Sequence, residues 1–215
     1  MPTVYLLRLS DSALARTRAQ LQHSDGVELV GSGNSLAESL DEIDVLMPDI
    51  VASDLRLKDN HAMRVAVELG RLAVRPQLML LTPTADDLQL FAALSAGANA
   101  YHLDNGSGTG LVEALICLHE RRVVLSPRLA RQALAAFGIE RSPLVTACQA
   151  AAALDTTPAG RQIDQSGRHL LTLLAQGLLL PEIVALWKLD VAELERRMWR
   201  MVRLLHVRSR ELLAA

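Results

Sequence analysis

Apolar residues in the first half of the chain fall into short blocks, separated by stretches where they recur at helical spacing. Residues 4–9, 27–31, 50–52, 78–81 and 99–103 are the blocks, the pattern of strands buried on both faces of a parallel sheet. Between them, residues 13–23 carry Leu14 and Leu21 on one side, and Gly31-Ser32-Gly33-Asn34 forms a turn cluster. Ser35 then opens a helix with Leu36, Leu40, Ile43 and Leu46, stopped at Pro48. Further helices are predicted over residues 62–72, 85–96 (closed by Gly97) and 110–120. Five β/α units imply right-handed crossovers and a doubly wound α/β sheet.

Beyond residue 122 the period changes. Val123-Val124-Leu125 leads into Ser126-Pro127, a cap followed by Pro at a first helical position, and the helix runs over residues 128–137 to Gly138. From 139 to 162 the chain turns to Ala, Thr, Ser, Pro and Gly, with an Ala-rich run at 144–154 that favours helix. A domain boundary is expected near 140–162. Three or four helices follow. Residues 167–176 line up Leu170, Leu173 and Leu174 and end at Gly177. Residues 181–187 begin at Pro181 and carry Ile183, Val184 and Trp187. Asp190 then caps a long helix, with Glu193 at capping-box spacing. That helix turns Leu194, Met198, Met201, Val202 and Leu205 to one side. Arg196, Arg200 and Arg203 lie on the other, with Arg197 and Trp199 alongside. A short helix, a tight turn and a longer helix bearing an arginine stripe is the helix-turn-helix layout.

Composition narrows the class. At 215 residues one large or two small domains fit, and half the residues are apolar while only 3% are aromatic, as in Ala/Leu-rich helices on a sheet. No apolar run approaches a membrane span, the first nine residues lack the layout of a signal peptide, and a cytoplasmic protein is expected. Cys117 and Cys148 show neither metal-ligand spacing nor a disulfide framework. The formal charge of −2 hides an asymmetry: −6 over residues 1–122, +2 over 123–162 and +2 over 163–215. An acidic front and a mildly basic rear point to different partners for the two ends.

The candidate chemistry gathers at strand ends. The block at 50–52 stops at Ser53-Asp54, leaving a carboxylate at the carboxyl end of a central strand, the edge where ligands bind in open α/β sheets. Two other blocks end alike, at Ser10-Asp11 and at Thr82. Two carboxylates and a hydroxyl at one edge suit a divalent cation and phosphoryl chemistry. The plainer reading of Asp54 is a cap for the loop that follows. Arg8 interrupts an apolar strand and needs a buried anion, since an unpaired buried charge is very costly. Lying on the same strand face as Ser10, it can pair with a pocket carboxylate.

These features together resemble the receiver domain of bacterial response regulators. The residues that carry the likeness are the acidic turn, the Asp-ended third strand, the Thr-ended fourth strand and Ala96-Gly97-Ala98-Asn99-Ala100-Tyr101. It covers residues 3–122. It implies a flavodoxin-like fold in which Asp54 accepts a phosphoryl group from a sensor histidine kinase. Asp11, Asp54 and the backbone carbonyl of Arg56 would hold magnesium, Thr82 would follow the phosphoryl oxygen, and Tyr101 would be the switch aromatic. Residues 163–210 resemble, without gaps, the LuxR-type output domain of NarL/FixJ response regulators. Leu173-Leu174-Ala175-Gln176-Gly177-Leu178, Glu182-Ile183 and Leu205-His206-Val207-Arg208-Ser209-Arg210 carry that likeness. By implication residues 190–205 form the recognition helix, and Arg196, Arg197, Arg200, Arg203 and Arg208 face promoter DNA, with the chain acting as a homodimer.

Departures from both patterns shape the expectation. Ser10-Asp11 stands where the receiver has two acidic residues, and Asp104 where it has a Lys that pairs with the phosphoryl group. A unit charge pair at ~4 Å and an effective dielectric near 20 is worth about 4 kcal/mol, so reversing its sign outweighs the ~1 kcal/mol hydrogen bond Thr82 offers. Lys58 replaces a usual Pro and is expected to be a solvated loop residue. In the recognition helix, Glu193-Leu194-Glu195 replaces Thr-Val-Lys and would repel phosphates, although Glu can accept from cytosine. Lys188 replaces a Gly, and Leu179-Leu180-Pro181 replaces polar residues.

The sequence therefore predicts a receiver-like domain (1–122), a linker with a helix (123–162) and a LuxR-type helix-turn-helix domain (163–215). The expected function is a two-component-type, DNA-binding transcriptional regulator with a degenerate phospho-acceptor pocket, weakly phosphorylated or independent of phosphorylation. The alternative is a protein-interaction module that has lost DNA contact and docks another regulator or a kinase. An enzyme has little support, with no nucleophile–base pairing, phosphate loop or metal-ligand cluster beyond the Asp54 pocket.

Overall fold

The computed structural model describes residues 1–60, 62–83, 93–94, 96–104, 110–122, 127–136 and 163–214, with the backbone alone at 128, 136 and 205–214. Two compact units emerge, Met1–Val123 together with Arg208–Ala215, and Val124–Val207.

In the first unit the strands are β1 (Thr3–Leu7), β2 (Glu28–Gly33), β3 (Ile50–Asp54), β4 (Gln77–Thr82) and β5 (Ala100–Leu103). They form one sheet, all parallel, in the order β2-β1-β3-β4-β5. The connecting helices are α1 (Asp11–Gln22), α2 (Leu36–Leu46), α3 (Ala62–Leu69) and, after β5, α4 (Leu111–His119). The helix expected over 85–96 falls largely outside the described residues. The expected strands are all present, and β1, β3 and β4 are buried almost throughout, as their unbroken apolar runs require.

Local chemistry explains the boundaries. Ser35 caps α2 by accepting from the Glu38 N–H at 3.4 Å, as its position before Leu36 suggests. Asp49 clasps the start of β3 to β1: its carboxylate accepts from the Thr3 N–H at 2.9 Å and the Thr3 hydroxyl at 3.0 Å. Tyr5 is buried where the β1–β2 register slips, and its hydroxyl donates to Glu42 at 2.5 Å. Burial, then the hydrogen bond to Glu42, pushes the Tyr5 phenol up to about 12. Its ring lies against Gly31, where a Cβ would come within 2.4 Å of Tyr5 Cε2.

The second unit is helical: α5 (Pro127–Ala136), α6 (Gln165–Ala175), α7 (Leu180–Trp187) and the part of α8 (Val191–Ala214) up to Val207. Its core joins Leu129, Leu134, Leu170, Leu174, Ile183, Leu194 and Met198, all buried. Residues 127–136, assigned to a linker on sequence, pack on α6. Arg131 of α5 also donates twice to the Ala175 carbonyl, at 3.0 and 2.8 Å, where the last turn of α6 leaves it without a helical partner. Asp164 caps α6 by accepting from the Gly167 N–H at 2.7 Å. At the start of α8, where a capping box was expected at Asp190 and Glu193, the Glu193 carboxylate meets Arg196 and Arg197. A bond of the capping-box kind is made at α7, where Glu182 accepts from the Leu179 N–H at 2.7 Å. Lys188 ends α7 in the left-handed region, at φ 51°, and Val191 starts α8 three residues later. The expected helix at 144–154, the Ser126 cap and Cys148 lie outside the described residues.

Candidate functional site

Parallel pairing brings the carboxyl ends of β1 and β3 side by side, Leu7 opposite Ser53, so Arg8 follows level with Asp54. Arg8 is buried although its strand is otherwise apolar. Its Nε lies 3.0 Å from Asp54 Oδ1, and Nη2 donates to Asp104 Oδ2 at 2.6 Å. Nη1 donates to the Thr17 hydroxyl of α1 at 2.9 Å. Asp54 Oδ2 accepts from the Leu9 N–H at 2.8 Å. Asp104 is fixed from behind, its N–H donating to the Thr82 carbonyl at 2.8 Å. One guanidinium thus ties together α1 and the ends of β1, β3 and β5. Burial pushes the Asp54 carboxyl above its usual range; the Leu9 N–H and Arg8 pull it down without cancelling that effect, and Asp104 adds to the rise. Burial also pushes His102 down, against the pull of Asp104.

The expected site residues divide. Asp54 sits at the sheet edge as anticipated, and Thr82 is buried at the neighbouring end of β4. Tyr101 is half-buried in β5, paired with Leu80. Asp11 is held by partners other than Asp54. It is the first residue of α1, which starts two positions earlier than its apolar spacing suggests, and its side chain is 78% exposed. There it accepts from Asn34 Nδ2 at 2.6 Å and meets Lys58 Nζ at 3.6 Å. The Arg56 side chain is exposed.

Asp104, expected to repel a phosphoryl group, shares Arg8 with Asp54, the pocket carboxylate pairing that the strand arginine was expected to make. The signal was legible in one position, a lone arginine in an apolar strand, but its consequence for the metal was not drawn from it. A magnesium ion at this edge would have to share Asp54 with Arg8 and the Leu9 N–H. Among the described residues no group of three or more His, Cys, Asp or Glu is placed to hold a metal ion. The cation beside Asp54 belongs to the chain itself.

Asp59 is a functional-looking carboxylate that sequence reasoning passed over. It reaches from the β3–α3 loop to the start of α2, accepting from the Leu36 N–H at 3.0 Å, the Ala37 N–H at 2.9 Å and the Ser35 hydroxyl at 3.1 Å. Burial works against its charge, but the Ala37, Leu36 and Ser35 bonds prevail and hold it down at about 2.

In the second unit the arginines of α8 differ in their commitments. Arg197 donates to Ser166 Oγ at 2.6 Å and Glu193 Oε1 at 2.9 Å, and its guanidinium lies 6.0 Å from the Trp187 ring centroid. Trp187 meets His169 on another side, the ring centroids 5.2 Å apart. Arg196 is exposed and shares Glu193, at 2.8 Å. Hydrogen bonds from Arg197 and Arg196 hold the Glu193 carboxyl below its usual range. Arg200 and Arg203 are exposed and have no ion pair among the described residues. The Arg208 side chain, and with it the motif at 205–210, lies outside the described residues. Arg197, Arg200, Glu193, Ser166 and Asp164 line a cavity of about 300 Å³ between the start of α6 and α8. Leu179, Leu186 and Val191 are 66%, 59% and 50% exposed.

No family model matches the chain. It is 24% identical over 109 residues to the response regulator protein VraR of Staphylococcus epidermidis, covering 51% of this chain and 52% of that one. The chain thus spans about half the length of the curated relatives it matches. A LuxR-family two-component response regulator from Aurantimonas sp. SI85-9A1 superposes with a TM-score of 0.55 at 19% identity, over 65% of this chain and 99% of that one. RcsB from Salmonella enterica serovar Typhimurium, solved bound to promoter P1flhDC with the phosphomimetic BeF3−, gives 0.53 at 16% identity over 95% and 92%. The fold is that of a response regulator: a five-stranded parallel receiver sheet with flanking helices, followed by a helical unit. Within it, the chain resembles regulators of the NarL/LuxR type. Among the described residues no helix is long and apolar enough to cross a membrane.

Proposed function

We propose that this chain is a two-component-type transcriptional regulator that binds promoter DNA through α8 and is switched weakly, or not at all, by phosphorylation of Asp54. The observation that carries the DNA reading is the exposed face of α8. Arg196, Arg200 and Arg203 follow at spacings of four and three, one side of a helix, and the last two have no ion pair among the described residues. An uncommitted guanidinium on a helix of helix-turn-helix layout is suited to a phosphate oxygen. The promoter-bound RcsB structure has the same fold. Glu193 counts less against DNA than its charge suggests, since Arg196 and Arg197 already neutralise it. The phosphorylation part rests on Arg8. A phosphoryl group arriving at Asp54 finds one oxygen against a guanidinium and the other bonded to the Leu9 N–H. Domain limits of 1–122, 123–162 and 163–215, a homodimer and a sensor histidine kinase partner belong to the same proposal.

A gel-shift titration with random-sequence DNA at two salt concentrations tests the first half. Binding that weakens steeply with salt is expected; no binding at low salt would defeat it. Intact-mass detection after incubation with acetyl phosphate tests the second, and rapid stoichiometric labelling of Asp54 would sink it. Exposed Leu179, Leu186 and Val191 favour a second reading, a docking module for another regulator or kinase. That reading alone survives if DNA binding is absent.

A further inference from the structure

We propose that the Arg8 guanidinium is a resident cation in the place a divalent metal ion would take, leaving the chain without a divalent-cation site at Asp54. The inference deepens the pocket reading above and rests on it. A magnesium ion demands near-octahedral oxygen ligands at roughly 2.0–2.1 Å, usually one or two carboxylates plus waters. Asp54 Oδ1 faces Arg8 Nε at 3.0 Å and Oδ2 is bonded to Leu9 N–H at 2.8 Å, so each oxygen already has a partner and an ion would have to share it. Asp11, the other acid the site would draw on, is engaged by Asn34 at 2.6 Å and by Lys58 at 3.6 Å. Asp104, the other nearby acid, is bonded to Arg8 at 2.6 Å.

Arg8 cannot yield its place easily. Its side chain is 7% exposed and is anchored to Thr17 on one side and to both carboxylates on the other. A guanidinium stays charged across the whole physiological range, and a doubly charged ion set beside it meets twice the repulsion of a unit charge. The Nε–H is not aimed along a hydrogen bond, so the Asp54 contact is mainly a contact of charges, the role a metal ion would play. The sheet edge is therefore compensated permanently and does not respond to the magnesium level of its surroundings.

The test compares the full-length wild type with Arg8→Asp and Arg8→Gln, each beside its Asp54→Asn counterpart, with no phosphoryl donor present. Bound Mn2+ is read by loss of the free-ion EPR signal, and thermal midpoints are taken with and without Mg2+. For wild type no Asp54-dependent Mn2+ uptake is expected, and no shift in midpoint. In Arg8→Asp, Asp54-dependent uptake should appear, with a midpoint rise of about 3 to 6 °C at an ion concentration roughly tenfold above Kd. Arg8→Gln, which keeps much of the side-chain volume, stands in should Arg8→Asp not fold. Asp54-dependent uptake by wild type overturns the inference, as does a folded variant without Arg8 that still takes up none. Should neither variant fold, the wild-type titration alone decides. Labelling of Asp54 by acetyl phosphate in metal-free buffer would instead overturn the proposed function and leave this inference standing.

Discussion

Arginine does opposite work in the two units. In the first, Arg8 is sealed among Asp54, Asp104 and Thr17, and its charge is spent inside the molecule. In the second, Arg200 and Arg203 stand in solvent with no ion pair among the described residues. Arg196 and Arg197 fall between these extremes, both drawing on Glu193. The difference teaches that counting basic residues says little about polyanion binding until burial and partners are known. Of the arginines on α8, at least one is structural, and the one just after β1 is held by two carboxylates.

The comparison breaks most visibly at Arg8. Arg8→Ala takes the guanidinium away from the half-buried Asp54 and is expected to cost about 3–5 kcal/mol in chemical denaturation. A loss below about 1 kcal/mol would mean that the pair gains nothing from its guanidinium. The contrasting change is Arg200→Ala with Arg203→Ala. Stability should stay within about 0.5 kcal/mol, while the slope of log K against log salt for DNA binding falls by about one for each phosphate contact removed. Unchanged affinity and slope would move these two residues out of the interface. Arg197→Ala sharpens the line between the classes: it should lower stability by about 1 kcal/mol, through Ser166, Glu193 and Trp187, before it touches the salt slope.

Smaller effects test the scaffold. Asp59→Ala removes the acceptor for two N–H groups at the start of α2 and should cost about 1 kcal/mol. The Asp59 carboxyl is lower in the folded chain than in the unfolded one, so its contribution is complete above about pH 4 and is lost as pH falls towards 2. Acid titration of wild type and Asp59→Ala, followed by circular dichroism, should therefore converge over that window. The smallest change is a gain. Lys188 holds a left-handed backbone at φ 51°, and Lys188→Gly should stabilise the second unit by about 1 kcal/mol in thermal or denaturant unfolding.

Much of the fold was legible because burial writes itself into apolar periodicity. The blocks at 50–52 and 78–81 are β3 and β4, and the spacing of Leu170, Leu173 and Leu174 marks α6. The site was less legible. Asp11 was read as following a strand, yet helix start signals carry a margin of a few residues, and it is the first residue of α1. Arg8 announced a buried anion in a single residue, but only the β1–β3 register shows that the anion is Asp54 itself. Glu193 read as a cap or as a repulsive charge; partners three and four residues away in its own helix decide otherwise. Asp59 gave no signal, since its partners, Ser35, Leu36 and Ala37, are distant in sequence.

The ring of Tyr5 lying on Gly31 carries a genealogical consequence. No side chain fits at 31 while that ring is in place, and a smaller residue at 5 would open a hole in the β1–β2 seam. Lineages of this chain should therefore alter positions 5 and 31 as a couple, in compensating steps, and a descendant that changes one without the other should be rare.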